Sequence, residues 1–261
     1  MAIDLFSIGP VTVHGYGLMI GLGFVVAIWV GCLLAQKQNL SVDHFTNIAI
    51  WTIVIGFLGG KLLYVIVNFK HFIEAPMAVL GSEGFVVYGG IITGVLTIIA
   101  YCRIKKLSTM DYLDLMVMAA SLNQAFGRVG CFLAGCCYGR RTDSAIGVIF
   151  PEGCIAPAGV KLHPTQLYMA AGDLLIFLIL FYISQSKKSF PKGFLCGAYL
   201  MLYSIGRFLI EFVRDDAERG YVGVLSTSQF IAIWIAIAAA VFMYILQKQS
   251  KVNTENAEDT E

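Results

Sequence analysis

Residues 13–35 read VHGYGLMIGLGFVVAIWVGCLLA, a continuous run without Asp, Glu, Lys or Arg. A helix needs about 20 apolar residues to cross the ~30 Å hydrocarbon core of a bilayer, so this run is long enough for one crossing. No basic segment precedes it, and no cleavage site followed by a soluble body comes after it. The run therefore predicts a retained membrane-spanning helix rather than a signal peptide.

Six further runs of the same kind follow along the chain. They are Phe45 to Phe69, Phe85 to Cys102, Tyr112 to Gly135, Thr165 to Ser184, Phe194 to Phe212 and Val224 to Leu246. Charged residues make up only 13% of the chain, against about 25% in soluble domains. None of the runs alternates polar with apolar residues, as the strands of an outer-membrane barrel do. The sequence predicts an all-α polytopic membrane protein of about seven transmembrane helices, with one transmembrane domain over residues 1–252 and a disordered tail over residues 253–261.

The distribution of charge predicts the orientation in the membrane. Short connections on one side carry Lys37; Arg103, Lys105 and Lys106; Lys187, Lys188 and Lys192; Lys248 and Lys251. The other side has most of the loop acids, together with Lys70, Arg140, Arg141, Lys161, Arg214 and Arg219. Because short basic connections mark the cytoplasmic side, we expect the N-terminus outside and the C-terminus, with its tail, in the cytoplasm.

Ionisable residues inside the runs are the strongest functional signal. Such groups are costly in a bilayer and usually face a cavity or a partner. Arg128 lies in the fourth run between Gly127 and Gly130, where a ligand or another backbone can approach closely. In the sixth run, one helical face carries Tyr203, Arg207, Glu211 and Arg214. Lys61 in the second run is open to a simpler explanation, since its long stem can carry the ammonium to the surface.

Arginines in the outer half of a helix bundle predict a phosphate ligand. A guanidinium binds phosphate in a bidentate manner, and phospholipid headgroups are the abundant phosphates in a membrane. The sequence has no serine nucleophile elbow, no H-E-x-x-H motif and no nucleotide-binding loop. We therefore expect no metal, no cofactor and no nucleic-acid partner. A helix-stabilising ion pair remains the simpler interpretation of Arg207 and Glu211.

Four motifs resemble those of a known family, the prolipoprotein diacylglyceryl transferases. They are HGYGLM at residues 14–19, GRVGCFLAGCCYG at residues 127–139, HPTQLY at residues 163–168, and Tyr203-x3-Arg207-Phe208-x2-Glu211-x2-Arg214. The likeness runs in order from about Val11 to Trp234.

The resemblance implies an enzyme of the bacterial cytoplasmic (inner) membrane that has seven spans, an external N-terminus and no metal. Such an enzyme transfers the diacylglyceryl group of phosphatidylglycerol to the lipobox cysteine of a prolipoprotein signal peptide. A thioether forms and glycerol phosphate leaves. Its partners are these two substrates and the surrounding membrane lipids. Its active site faces the external, periplasmic side.

The resemblance also implies roles for individual residues. Arg128 and Arg207 would hold the lipid phosphate, with Glu211 orienting Arg207, and Tyr88 would stand at the reaction centre. The remaining residues expected to bind substrate are Tyr16, His14, Tyr203, Asp114, Gly89, Gly90, Arg214 and His163. The lipid would enter laterally from the membrane, and the loop from Cys136 to Pro164 would shape the entrance for the peptide.

The chain departs from the family pattern at two places. Tyr88 stands where many members have a histidine, and a free tyrosine, with a pKa of about 10, is a poor base at neutral pH. Cys131, Ala134 and Cys136 replace two asparagines and a glutamate. These differences keep two alternatives open: an enzyme that uses the same lipid donor with a different acceptor, and a non-catalytic phospholipid-binding or transport protein.

The chain has seven cysteines, and three of them, Cys136, Cys137 and Cys154, fall at or beyond the outer end of the fourth run. On an oxidising side, a disulfide from Cys154 to either of the adjacent pair would close the long loop. Free thiols are the alternative, since an anaerobic or reducing habitat would remove the oxidant. A metal site is the least expected outcome, because no tetrahedral ligand spacing is evident.

Overall fold

The computed structural model describes residues 4–8, 11–82, 84–186, 190–215 and 220–258. Its helices are α1 Gly15–Lys37, α2 Val42–Val67, α3 Phe69–Glu74, α4 Pro76–Gly81, α5 Val87–Ile104, α6 Thr109–Ala134, α7 Thr165–Ser184, α8 Phe194–Ile210 and α9 Thr227–Glu258. Three short antiparallel strand pairs are β1 Asp4–Ile8 with β2 Val11–His14, β3 Val148–Ile149 with β4 Lys161–Leu162, and β5 Tyr221–Val222 with β6 Leu225–Ser226. The predicted helical fold is confirmed over the described residues, and each apolar run coincides with one longer helix.

Five of these helices are long and apolar enough to cross a membrane: α1, α2, α5, α7 and the Thr227–Ser250 part of α9. Helix α8 is apolar but has only 17 residues. Helix α6 has 26 residues, but Asp114, Asn123 and Arg128 lower its hydropathy. A membrane protein is therefore supported by five helices.

One part of the chain adds to the sequence-based expectation, and another differs from it. The connection after α2 carries the short helices α3 and α4, and Pro76 begins α4 because its fixed φ suits the first helical turn. Helix α9 continues to Glu258, so most of the segment expected to be disordered from residue 253 is helical. Residues 259–261 lie outside the described residues. So do Lys187, Lys188 and Arg219, on which part of the charge argument rests.

The chain divides into two compact units, Gly31–Met116 and the remainder, Met1–Val30 with Val117–Glu261. Within Gly31–Met116, α2 packs on α5 through facing glycines. A Cβ added at Gly89 would overlap the carbonyl oxygen of Gly59, and one at Gly90 would lie 3.0 Å from the carbonyl oxygen of Gly56. The Thr93 hydroxyl donates to the Ile55 carbonyl at 3.2 Å, which ties the two helices together. Small residues thus allow close backbone approach without side chains between them.

Lys61 in α2 has a structural partner in the same unit. Its ammonium donates to the carbonyl oxygens of Ser82 at 2.6 Å and of Gly84 at 3.3 Å. It also lies 5.1 Å from the centre of the Tyr64 ring. These contacts hold the segment before α5 and account for the lysine without a ligand.

The other unit contains α7, α8 and α9, which pack in sequence, with α8 between the other two. Its long loop, residues 136–164, is built around a small apolar core in which Phe150, Ala156 and Leu162 are buried. The β3–β4 pair closes this loop. The loop therefore has a small folded core of its own. Such a loop suits the predicted role of shaping the entrance for the peptide.

Large apolar side chains remain exposed along the helices of both units. Trp29 is 63% exposed, Phe57 54% and Trp234 58%. A soluble monomer rarely leaves contiguous apolar surface of this kind uncovered, whereas lipid tails solvate it. The exposed residues support a membrane setting for both units.

Gly89→Ala is expected to destabilise the protein by about 1–3 kcal/mol, because the added methyl group overlaps a backbone carbonyl that has no room to move. The midpoint of thermal unfolding in detergent measures the effect. Gly21→Ala in α1 is the matched control, since nothing lies within 4 Å of a Cβ there. Alanine favours a helix over glycine, so the control keeps or raises the midpoint. Equal midpoints for the two variants would contradict this packing account.

Candidate active site

Arg207 and Glu211 form an ion pair at the C-terminal end of α8. Nη1 of Arg207 lies 2.7 Å from Oε2 of Glu211, and the carboxylate is almost completely buried. Nη2 of the same guanidinium donates to the hydroxyl of Ser228 in α9 at 2.6 Å. A cation in the last turn is also favoured by the helix dipole. The i, i+4 spacing seen in the sequence thus produces a real contact that orients the guanidinium.

Arg128 and Arg207 line the same cavity, which has a volume of about 250 Å³. Its walls come from α6, α7, α8 and the segment after α8, and they are Arg128, Tyr168, Met169, Gly172, Asp173, Ile176, Tyr203, Gly206, Arg207, Leu209, Ile210 and Val213. Most of this surface is apolar, and the charged groups are two arginines and one aspartate. Such a cavity suits an amphiphile that carries an anion.

Asp173 in α7 is the cavity residue that the sequence analysis missed. It is 5% exposed and interacts electrostatically with Arg128. An acid within an apolar run was the signal that could have found it, by the same rule that singled out Arg128. Its carboxylate provides a counter-charge for one of the two arginines.

Tyr203 is held in the cavity wall by an aromatic neighbour. The ring of Tyr203 stacks on that of Tyr199 with centroids 5.9 Å apart. The Tyr199 hydroxyl donates to Oε1 of Gln124 in α6 at 2.6 Å. This chain of contacts connects α8 to α6 one turn before Arg128, so it fixes the distance between the helices that carry the arginines.

Tyr16 lies beside the arginine helix. A Cβ added at Gly130 would lie 3.1 Å from the Tyr16 ring and 3.2 Å from its carbonyl oxygen. Tyr16 also interacts electrostatically with Arg128. Gly130, two residues after Arg128, therefore permits the close approach predicted from the sequence. The segment that approaches it is the start of α1. His14, two residues earlier, is exposed at the end of β2.

The HPTQ motif holds the loop that follows α6. The amide of Gln166 donates to the carbonyl of Cys136 at 2.6 Å, and the hydroxyl of Thr165 donates to the carbonyl of Cys137 at 2.7 Å. Both donors are fully buried. The ring of His163 meets the hydroxyl of Tyr168 at 3.1 Å. Within the described residues, this motif therefore holds the start of the loop 136–164 through two side-chain hydrogen bonds.

Arg214 lies in a third segment that meets this loop. It is 7% exposed, and its backbone pairs with that of Gly139 in an isolated antiparallel β-bridge. The backbone amide of Arg140 donates to the Val213 carbonyl at 2.8 Å. A Cβ at Gly139 would lie 2.8 Å from that same carbonyl and 2.7 Å from the Thr165 methyl group. The glycine is needed because three segments converge on it.

All seven cysteines are free thiols in the structure. Cys154 packs against Gly135, where an added Cβ would lie 3.1 Å from its sulfur, but it forms no disulfide. The sulfur atoms of Cys131, Cys136 and Cys137 all lie within 4.8 Å of one another. Hydrogen bonds with Cys131 and Cys136 lower the pKa of the Cys137 thiol, and Arg214 lowers it further.

Four predicted site residues belong to the Gly31–Met116 unit and are described within it. Tyr88 is 55% exposed in the first turn of α5, and Asp114 is buried in α6. Gly89 and Gly90 face the backbone of α2, so helix packing already accounts for them. A role in substrate binding stays a prediction for all four.

Comparison with known proteins gives a consistent result. The family described as prolipoprotein diacylglyceryl transferase matches residues 4–245. The phosphatidylglycerol–prolipoprotein diacylglyceryl transferase of Clostridium tetani (strain Massachusetts / E88) is 42% identical over 250 residues, covering 95% of this chain and 98% of that protein. The second such enzyme of Clostridium perfringens (strain 13 / Type A) is 42% identical over 251 residues, covering 95% and 96%. That of Finegoldia magna (strain ATCC 29328 / DSM 20472 / WAL 2508) is 33% identical over 246 residues, covering 94% and 95%.

These matches confirm the resemblance drawn from the four motifs. They extend over nearly the whole chain and over nearly the whole of each relative. The chain therefore belongs to the prolipoprotein diacylglyceryl transferase family.

Proposed function

We propose that this protein transfers the diacylglyceryl group of phosphatidylglycerol to the thiol of a lipobox cysteine in a prolipoprotein signal peptide. The observation that carries the proposal is the pair of arginines, Arg128 and Arg207, in one largely apolar cavity. The names of the relatives supply the two substrates. The apolar walls suit acyl chains, and the guanidinium groups suit the phosphate between the two glycerols.

The reaction needs charge stabilisation at the leaving group. The acceptor sulfur forms a bond to the carbon of the acylated glycerol that carries the phosphate ester. The bond from this carbon to the ester oxygen breaks, and its electron pair leaves with glycerol phosphate. Negative charge therefore grows on a phosphate oxygen, where fixed cationic donors lower the barrier. Arg207 has five N–H donors, and its contacts with Glu211 and Ser228 leave others for the phosphate.

Asp173 and Glu211 are proposed to position the arginines. Glu211 fixes the rotamer of Arg207, while Asp173 provides a counter-charge beside Arg128. Arg214 also interacts electrostatically with Arg207, so three arginines stand against two acids and an excess of positive charge remains. An anionic headgroup is therefore attracted, and neither guanidinium is left without compensation in an apolar surrounding.

We further propose seven membrane crossings with an external N-terminus and a cytoplasmic C-terminus, in the bacterial inner membrane. The short basic connections support this orientation, for example Arg103, Lys105 and Lys106 after α5. Residues 1–252 then form one catalytic domain, with the lipid entering laterally. The folded loop 136–164 lies on the external side and shapes the entrance for the peptide. Tyr88 is proposed to donate a hydrogen bond to the thiol or the phosphate, which Tyr88→Phe tests.

Complementation tests the function directly. Expressed in bacteria depleted of their own transferase, the chain should restore growth and the diacylglyceryl modification of a lipoprotein precursor, read by mass spectrometry. A precursor whose lipobox cysteine is replaced by serine is the control and should stay unmodified. Normal membrane insertion without any modified precursor would favour the alternative of a non-catalytic lipid-binding protein or of another acceptor.

Arg128→Ala and Arg207→Ala should each lower the turnover of phosphatidylglycerol by about 10²–10³-fold, the usual effect of removing one preorganised donor from a developing oxyanion. Arg207→Lys should also lose at least about ten-fold, because an ammonium group has no bidentate fork. Transfer of labelled lipid to a lipobox peptide measures the rates. Arg103→Lys, at an exposed position, is the control and should match the wild type. Near-wild-type turnover in both alanine variants would exclude this role for the pair.

Asp173→Asn should slow turnover by about ten-fold, equivalent to about 1.4 kcal/mol, because Arg128 loses its charge partner. The KM for phosphatidylglycerol should not rise, since the cavity becomes more positive. That split separates a positioning role from general misfolding, which would remove activity and binding together. Asp143→Asn, in the exposed loop, is the matched control. An unchanged rate constant for Asp173→Asn would show that the acid is dispensable.

A further inference from the structure

A cluster of three thiols has no part in the function proposed so far. The sulfur atoms of Cys131, Cys136 and Cys137 lie within 4.8 Å of one another. Cys131 is buried in the last turns of α6, while the other two are half-buried in the turn that follows. Such a convergence joins residues up to six positions apart, so it depends on the shape of the turn.

The turn is held in an unusual backbone conformation. Helix α6 ends before Gly135, which has φ +70°, and Cys137 has φ 59°, in the left-handed region. A residue with a Cβ is disfavoured there by about 1–2 kcal/mol. The buried donors Gln166 and Thr165 hold the carbonyls of Cys136 and Cys137 and so maintain this conformation. The two hydrogen bonds from the HPTQ motif therefore hold the turn in the conformation that brings the thiols together.

Three converging thiols match the ligand set of a thiophilic metal ion. A zinc–sulfur bond is about 2.3 Å long, so a tetrahedral ion holds its sulfurs about 3.8 Å apart. The present separations of at most 4.8 Å would close to that value with movements of about 1 Å. Adjacent cysteines in an extended strand would point to opposite faces, whereas this turn brings both sulfurs to one side.

The surrounding charge also suits a bound ion. Three thiolates and one divalent cation carry one net negative charge. Arg128 interacts electrostatically with Cys131 and Cys137, and Arg214 with Cys137. The two guanidinium groups thus offset the charge of the loaded site. Arg128 also lines the cavity in which the phosphate is proposed to bind, so the cysteine cluster and the cavity have one arginine in common.

We propose that Cys131, Cys136 and Cys137 bind one ion of the zinc class, with an open fourth position that takes the acceptor thiol. The role of the fourth position rests on the proposed function, whereas the binding of the ion does not. Three protein ligands with an open position are the usual arrangement of a catalytic zinc site. A metal-bound thiol is deprotonated, so this site supplies a thiolate in a chain that has tyrosine at position 88.

The transfer step balances without an oxidant or a reductant. The acceptor thiol gives its proton to water as its sulfur binds the ion. The thiolate electron pair then forms a bond to the carbon of the acylated glycerol that carries the phosphate ester. The carbon–oxygen bond breaks, and its electron pair leaves on the phosphate of glycerol phosphate. The ion keeps its charge and its three cysteine ligands throughout.

Metal titration of the reduced full-length protein in detergent tests the site. Zinc alone, competed against a chromophoric chelator, should bind at one ion per chain, and cobalt should give thiolate charge-transfer absorption. Cys131→Ser, Cys136→Ser and Cys137→Ser should each weaken binding by at least about ten-fold. Cys154→Ser is the matched control, since this thiol lies nearby but outside the cluster, and it should bind like the wild type. Absent stoichiometric binding, or equal binding by all four variants, would overturn the proposal.

Thermal unfolding separates lost ligands from lost folding. Without metal, the three serine variants should unfold at the wild-type midpoint. Added zinc should raise the midpoint of the wild type and of Cys154→Ser only, because a ligand stabilises the state that binds it. A zinc-induced rise of the same size in all three cluster variants would contradict the assignment. So would a disulfide among the three sulfurs in protein isolated from membranes, if reduction restores no metal binding.

The acceptor position has its own readout. A lipobox peptide added to the cobalt-loaded protein should shift the absorption, whereas the same peptide with serine for cysteine should not. No shift with the cysteine peptide would remove the acceptor from the fourth position. Metal binding without any diacylglyceryl transfer would reject the proposed function and leave the ion site standing. Full transfer activity in metal-free protein and in the serine variants would remove the ion from the reaction and leave the proposed function standing.

Discussion

Two guanidinium groups inside an apolar helix bundle are the constraint on which the rest of the structure depends. A buried cation is costly unless it is paired, and removing its partner is more costly than never having had it. Arg207 is paired with Glu211 in its own helix and with Ser228 in α9, while Arg128 has Asp173 beside it in α7. These contacts explain why polar residues persist in α6, α7 and α8, although each lowers the hydropathy of its helix.

The same constraint shapes the irregular segments. The loop after α6 leaves the arginine helix through Gly135 and Cys137, which both have positive φ. Buried side chains of the HPTQ motif take up the carbonyls that this turn exposes. The segment after α8 adds backbone hydrogen bonds to the same loop. Three stretches that look like separate family motifs in the sequence are therefore one hydrogen-bonded assembly in space.

Much of this arrangement could be predicted from sequence because it depends on local patterns. Seven apolar runs mark the seven longer helices, and the i, i+4 spacing of Arg207 and Glu211 is enough to anticipate their contact. Asp173 obeys the rule that identified Arg128, so the same signal is present in the sequence for this acid. Helices α3 and α4 are too short to leave a periodic signal, and only Pro76 marks the start of one of them.

The cysteine cluster was beyond reach for a different reason. Adjacent Cys136 and Cys137 bring their sulfurs together only because one residue adopts positive φ, and that conformation is stabilised by donors about 30 positions away in the chain. A spacing rule for metal ligands assumes regular turns and therefore predicts nothing here. Of the two alternatives left open for Cys154, the structure has the free thiol, and this residue packs against Gly135.

Arg128 and Arg207 are proposed to bind the phosphate of a lipid within the bundle. Native mass spectrometry of the protein released from nanodiscs that contain phosphatidylglycerol and phosphatidylethanolamine measures this without any turnover. The account predicts that the wild type retains phosphatidylglycerol in preference, and that the double variant Arg128→Ala/Arg207→Ala, folded by its thermal midpoint, retains neither lipid preferentially. Unchanged retention of phosphatidylglycerol by the double variant would contradict it.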